Sequence, residues 1–188
     1  MPIQDESLKP PKQVIYWQVM ASTLGRVLIA MTDRGVCRVA FGEDGDQLRA
    51  RFPEAQCIAA SEGQGPAFAP DQLDVFAQIL AAIEAPGDDH SQIALDIEGT
   101  AFQRRCWQAL RDIPPGQTRS YGEQAAGLGN PKASRAVGSA NAANPVAVLI
   151  PCHRVVPANG GVGGYAYGAC IKAELLSREA RLATARLV

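Results

Sequence analysis

Two hydrophobic periods follow one another along this chain, and their order constrains the fold more than any single motif. Val14–Met20, Arg26–Met31 and Val36–Phe41 are rich in β-branched and apolar side chains. Ser22-Thr23-Leu24-Gly25 and Asp33-Arg34-Gly35 lie between them as turns, which predicts an antiparallel meander. From Asp71 the period becomes helical. Leu73, Phe76, Ile79, Leu80 and Ile83 mark a helix over 71–85, between Pro70 and Pro86-Gly87. Phe102, Cys106, Trp107, Leu110 and Ile113 repeat the pattern before Pro114-Pro115-Gly116. Strands segregated ahead of helices specify an α+β fold: a small antiparallel β-sheet with helices, then a helical domain. Asp46 is expected to N-cap a short helix carrying Leu48 and Phe52 and stopped by Pro53, with a further strand at Cys57–Ala60. The organisation expected is a loose tail over 1–12, an N-terminal domain over 13–92 with a Gly/Pro-rich loop at 61–70, and a C-terminal domain over 93–188. Ile93–Ile97 is read as a short strand bridging the two.

Composition narrows the function classes. The five cysteines are far apart with no Cys-x-x-Cys, and there are two histidines. Neither a disulfide framework nor a metal cluster is expected. The first residues are polar and acidic, unlike a secretory signal, and no apolar run approaches a membrane span. A reduced, cytoplasmic, soluble protein is expected. The net charge of −1 hides a division: residues 1–98 hold seven Lys/Arg and fifteen Asp/Glu, residues 99–188 eleven and four. A basic second half suits contact with a polyanion, although chance segregation gives the same numbers.

The residues that carry chemistry lie in that half. Pro145–Ile150 is an apolar run ended by Pro151, which fixes φ and removes a donor. Cys152 follows, with His153 and Arg154 beside it. A thiol needs a base or a positive field to become a nucleophile, and these neighbours offer both. A buried structural cysteine beside a surface histidine fits the pair equally. Upstream, Ser120 with Glu123 reads as a capping box for a helix over 121–127, Gly127–Asn130 breaks the chain, and Pro131 opens a second helix to about Asn144. That spacing matches a helix-turn-helix, or an ordinary helical hairpin. Downstream, Gly160–Gly164 reads as a loop bringing backbone close to something. A last helix over 170–182 places Glu179 on the face of Leu175 and Leu176; buried there it would need a partner, with His153 the obvious candidate, while a partly exposed carboxylate at a fraying helix end fits the pattern as well.

Taken together, Ser120-Tyr121, Asn130-Pro131-Lys132-Ala133-x-Arg135-Ala136-Val137-Gly138, Asn144-Pro145, Ile150-Pro151-Cys152-His153-Arg154-Val155-Val156, Gly164-Tyr165 and Leu175-Leu176 with Glu179 resemble the O6-alkylguanine-DNA alkyltransferases. The match covers about 100–182; the first half fits only loosely. The resemblance implies a ribonuclease H-like N-terminal domain and a winged-helix-like C-terminal domain. It implies repair of O6-alkylguanine, and O4-alkylthymine, in double-stranded DNA by base flipping and one irreversible alkyl transfer to Cys152. His153, oriented by Glu179 and acting through a water, would take the thiol proton; Asn144 would hold the cysteine turn. Tyr121 would turn the target phosphate and protonate the leaving base. The helix carrying Lys132, Ser134, Arg135 and Ala136 would enter the minor groove, with Arg135 filling the gap left by the flipped base. Tyr165, Ala166 and Tyr167 would wall the alkyl pocket, with backbone of Cys152, Val155 and Ala166 reading the guanine edge. No cofactor and no metal are implied, no membrane is involved, and a monomer suffices, acting at the nucleoid. Ala166 stands where Ser is common, Tyr167 where Gly is frequent and Ala147 where some members have Pro. Tyr167 is expected to narrow the pocket toward methyl groups. Lesion-binding relatives without repair lack the acceptor cysteine, a regulator of the adaptive-response type needs a further Cys-rich module, and a cysteine hydrolase would turn over.

Overall fold

Strand pairing follows directly from the alternating apolar runs. The structure is a computed structural model describing residues 13–59 and 70–185; the expected tail and, except for Pro70, the loop expected at 61–70 lie outside the described residues, and Pro70 belongs to a helix. Strands β1 (Val14–Ser22) and β2 (Gly25–Met31) pair antiparallel through a turn in which the Ser22 hydroxyl donates to Gly25 O (2.6 Å). β3 (Val36–Phe41) pairs antiparallel with β2. β4 (Gln56–Ala59) pairs parallel with β1, so the sheet order is β3-β2-β1-β4 and the sheet is mixed rather than purely antiparallel. A parallel partner needs a crossover, and helix α1 (Gly45–Arg51) supplies it. Its N-cap is Asp44, not Asp46. Asp44 is extended and accepts from the amides of Asp46 and Gln47, while Gln47 returns a bond to the Asp44 amide. Asp46 sits inside the first turn and pairs with Arg49.

Helix α2 (Pro70–Glu84) lays Phe76, Ile79 and Ile83 on the sheet; Leu73, the first residue of the expected stripe, is exposed. Residues 93–97 make a single parallel bridge between Leu95 and Val36 rather than a full strand. Gly35 is required there: a Cβ would lie 2.6 Å from Ala94 O. One apolar cluster joins α2 and the sheet to Trp107, Leu110, Val146, Ile150, Val155 and Leu175, so the same core reaches the cysteine segment.

In the second half the capping box expected at Ser120 forms, and a second one appears at Thr100. Thr100 and Gln103 cap α3 (Ala101–Arg111), and Ser120 and Glu123 cap α4 (Tyr121–Gly127). After the turn, Pro131–Ala133 form a 3-10 turn and only then does α5 (Ser134–Ala142) begin. The expected continuous helix to Asn144 is thus shorter at both ends. Ala133 leaves helical geometry at the near end, and the Asn144 side chain serves the next segment at the far end. Trp107 Nε1 donates to Ala140 O (2.8 Å), and Gln124 and Asn141 exchange side-chain hydrogen bonds, locking α3, α4 and α5 together. Strand β5 (Arg119–Ser120) pairs parallel with β6 (Val155–Val156). That ladder sets the α4 N-terminus beside the cysteine turn. Helix α6 (Ala169–Ala185) closes the half.

Candidate active site

The cysteine is presented by an irregular segment held from both sides. Val39 on β3 donates to Pro145 O and accepts from the Ala147 amide, both at 3.0 Å, stitching residues 145–147 to the sheet edge. Val148 then adopts φ +69, rare for a β-branched residue, with Leu149 N–H closing a three-residue turn on Ala147 O (2.8 Å). Across Pro151 the Cys152 amide bonds Ile150 O (2.8 Å), and Cys152–Arg154 form one 3-10 turn. Asn144 braces this geometry. Its amide donates to Ile150 O (2.7 Å) and toward Cys152 Sγ (3.2 Å), and its carbonyl oxygen accepts from Val146 N–H (3.0 Å).

Cys152 is partly accessible and opens into a cavity of about 330 Å³. Tyr121 on α4, Gly138 and Asn141 on α5, Asn144, and Tyr165, Ala166 and Tyr167 contribute to its walls. Larger clefts lie elsewhere on the surface, and one of them, of about 350 Å³, includes Cys37 near Asp96, but burial pushes that thiol up to about 12. Burial pushes the thiol up; the Asn144 hydrogen bond and the charge of Lys172 pull it back only in part. At rest the thiol keeps its proton, so its reactivity depends on a base.

A buried histidine lies behind the cysteine. His153 is fully buried, and its Nε2 lies 2.8 Å from Glu179 Oε1. Burial tends to raise the Glu179 carboxyl, but the hydrogen bonds and charges of His153 and Arg154 outweigh it and hold the group below its usual range. An ionised carboxylate only accepts, so Nε2 carries the proton and Nδ1 presents its lone pair. Burial lowers the imidazole further than Glu179 raises it, so the ring is neutral. Nδ1 is buried with no hydrogen-bond partner among the described residues.

Arg154 does not face the thiol. Its guanidinium binds both Glu179 oxygens (2.9–3.1 Å) and the carbonyls of Ile113 and Pro86. The activating cation expected in Arg154 is therefore spent on Glu179, because the 3-10 turn points consecutive side chains apart. The cation that acts on Cys152 is Lys172, which the sequence reading passed over. Its signal was present: Lys172 stands three residues before Leu175 and seven before Glu179, on the same buried stripe.

The other expected residues divide cleanly. Lys132, Arg135 and Ala136 are exposed and Ser134 is partly so, on the helical segment whose other side lines the cavity. Tyr121 lines the cavity; burial and the charge of Cys152 raise its hydroxyl. Tyr165 has a buried hydroxyl without a well-formed hydrogen bond, yet close enough to Cys152 to lower the thiol. The Tyr167 hydroxyl donates to Val39 O (3.3 Å), and its ring packs edge-on against Phe41 and Tyr165 (centroids 5.5 and 5.4 Å). Val155 is buried outside the cavity: its amide bonds Cys152 O and its carbonyl accepts from Lys172. Among the described residues no cluster of three His, Cys, Asp or Glu could hold a metal ion, and no helix is long and apolar enough to cross a membrane.

The sequence profile of the 6-O-methylguanine DNA methyltransferase DNA-binding domain matches residues 101–181. The chain is 45% identical over 157 residues to the bifunctional transcriptional activator/DNA repair enzyme Ada of Escherichia coli, covering 84% of this chain and 43% of that protein. It therefore spans less than half the length of that relative. It is 38% identical over 168 residues to the methylated-DNA–protein-cysteine methyltransferase of Methanosarcina acetivorans, covering 88% of this chain and 98% of the relative. The crystal structure of Mycobacterium tuberculosis OGT in complex with DNA superposes with a TM-score of 0.71 at 32% identity, over 88% of this chain and 93% of that one. With its cysteine turn, its buried His–Glu pair and these relatives, the chain belongs to the methylated-DNA–protein-cysteine methyltransferase family.

Proposed function

We propose that this protein repairs DNA by moving an alkyl group, chiefly methyl, from guanine O6 (or thymine O4) in duplex DNA to Cys152, once per molecule. The observation that carries this reading is the pairing of two environments at one residue. Cys152 Sγ faces an open cavity, while the adjacent His153 is sealed against Glu179. A reactive thiol at a cavity floor fits a substrate that must leave the base stack to be reached.

The steps follow from these groups. The Cys152 proton passes through a water to His153 Nδ1, the nitrogen that Glu179 leaves free. The thiolate attacks the alkyl carbon; the S–C bond forms as the C–O6 bond breaks. Tyr121, whose hydroxyl keeps its proton at neutral pH, gives it to the departing guanine. The product thioether has no leaving route, so the protein is consumed. No cofactor enters this balance. The amides of Cys152 and Val155 are both engaged within the cysteine turn and their carbonyls already accept, so the backbone of Ala166, which lines the cavity, is left as the main reader of the guanine edge.

The DNA face of this reading is the helical segment with Lys132, Ser134, Arg135 and Ala136. Small side chains at its exposed positions would let it lie in a minor groove, with Arg135 in the gap of the flipped base. Residues 13–92 act as a ribonuclease H-like scaffold and 93–188 as a winged-helix-like reader. The protein works as a monomer at the nucleoid in the cytoplasm. Tyr167 favours methyl over bulky groups, since its hydroxyl bond to Val39 and its aromatic contacts fix it as a wall.

Intact mass tests the reading. After mixing with a duplex carrying one O6-methylguanine, the protein gains the mass of one methylene, at most once, and Cys152→Ala gains nothing. Lesion binding with no mass gain would contradict it. Equal rates with O6-methylguanine and O6-benzylguanine would remove the role given to Tyr167.

A further inference from the structure

Two buried carboxamides sit where the helix-turn-helix meets the cavity. Gln124 on α4 and Asn141 on α5 are each 5% exposed. The positions beside them, Ala125, Val137 and Ala140, are apolar and pack with Cys106 in one core cluster. Burying two amides there is costly unless their polar atoms are paired. The pairing is fixed from one end. Gln124 Nε2 donates to Cys106 O (3.1 Å), and a carbonyl only accepts, so Gln124 Oε1 turns toward Asn141. Asn141 Nδ2 donates to that oxygen (2.8 Å), and Gln124 Nε2 returns a longer bond to Asn141 Oδ1 (3.4 Å). Gln124 thus uses both of its N–H protons, and Asn141 uses one. The second N–H of Asn141 has no acceptor among the described residues, and Asn141 lines the cavity into which Cys152 opens.

We infer that Asn141 reads the flipped base: its remaining N–H donates to a ring nitrogen of the O6-alkylguanine in the cavity, and Gln124 is the positioning residue that aims it. The inference rests on the function proposed above and adds a side-chain contact that selects its substrate. Alkylation at O6 leaves guanine without its N1 proton, so N1, N3 and N7 all present lone pairs. The other polar side chains of the cavity are committed. Asn144 donates to Ile150 O and toward Cys152 Sγ, and the Tyr167 hydroxyl donates to Val39 O. The Tyr165 hydroxyl lies against the thiol, and the Tyr121 proton goes to the leaving base. Once a base fills the cavity and expels water, a donor left without an acceptor is costly. A base lacking the matching nitrogen is therefore disfavoured.

The test is single-turnover methyl transfer from duplexes carrying O6-methylguanine or its 1-deaza, 3-deaza or 7-deaza analogue, in each of which one ring nitrogen is replaced by C–H. Asn141→Leu keeps the size of the side chain but cannot donate. It should react about three- to tenfold more slowly than wild type with O6-methylguanine. For one analogue, the one lacking the nitrogen that Asn141 reads, Asn141→Leu and wild type should react alike. For the other two, the variant should stay slower by its full factor. Gln124→Leu keeps the Asn141 amide but frees its orientation, so it should lose part of this discrimination; unchanged discrimination would remove the role given to Gln124. The double variant Gln124→Leu/Asn141→Leu leaves no amide unpaired and carries the comparison should Asn141→Leu fail to fold. Loss by the same factor on all four duplexes, or no loss on any, would overturn the inference and leave an amide pair that only joins two helices. Wild-type protein that takes no methyl group from any of the duplexes would overturn the proposed function, and this inference with it.

Discussion

The two halves of this protein bury different things. Among the described residues, the first half buries Thr32 and Arg38 as its only polar side chains; the second buries Gln124, Asn141, Asn144, His153, Arg154, Lys172 and Glu179. Apolar packing is the least expensive way to hold a fold, so buried polar groups concentrated on one side of a shared core mark where stability is traded for chemistry. The sheet and α2 form a scaffold whose edge strand β3 grips the cysteine segment through Val39. The helical half holds a thiol, a neutral imidazole, an ion pair and a lone ammonium between one 3-10 turn and helix α6. Damage to the first half should change how much protein folds, and damage to the second should change what the folded protein does.

The largest break in that contrast is Glu179→Gln. It leaves Arg154 buried without its counter-ion and should cost about 3–5 kcal/mol in a denaturant titration. It should also slow transfer in the folded fraction, because a glutamine amide can accept from or donate to Nε2 and so no longer fixes one His153 tautomer. Ile79→Ala, in the scaffold core, should cost a similar ~2–5 kcal/mol. Its folded fraction should transfer methyl at the wild-type rate, and a slower rate at matched folded concentration would blur the division. Next comes Asn144→Ala. Removing three side-chain hydrogen bonds from the cysteine turn should lower stability by about 1–3 kcal/mol and reduce the rate constant more than Ile79→Ala does.

Acidity sharpens the same contrast. The folded His153 lies below its ordinary 6.5, so as pH falls through that value the unfolded chain binds the proton first and stability declines. Glu179 lies below its ordinary 4.5, so its stabilisation is present above that pH and is lost as pH falls through the folded value. Melting temperatures measured from pH 7 downward should therefore drop in two stages, and Glu179→Gln should shrink the lower one, to which Glu84 also contributes. The smallest effect expected is Tyr167→Phe, about 0.5–1.5 kcal/mol for one hydrogen bond to Val39, with a relative gain for benzyl over methyl substrates.

Much of this was legible in the residues. The capping box at Ser120 is a local signal, and local geometry obeyed it. Glu179 as partner of His153 followed from one carboxylate on an apolar stripe. What stayed hidden depended on contacts distant in sequence. The parallel β1–β4 pairing is set by a crossover, not by the pattern of β4 itself. Arg154 looked like the activator of its neighbour, but a 3-10 turn sends adjacent side chains to different partners. Lys172 drew no reading at all, because nothing local distinguishes a buried lysine in a helix from a solvated one, and only its two carbonyl partners reveal its burial. The left-handed Val148 has no sequence signature, since a glycine is what that geometry ordinarily favours.

The central claim is that Cys152 is an acceptor consumed by its own reaction. The most direct measurement titrates a fixed amount of protein with excess duplex carrying O6-methylguanine, counting repaired lesions while mapping the modified peptide. Repair that stops at one lesion per molecule, with the methyl group on Cys152, is the outcome predicted. Repair that continues past one equivalent, or a methyl group on any other cysteine, would contradict it.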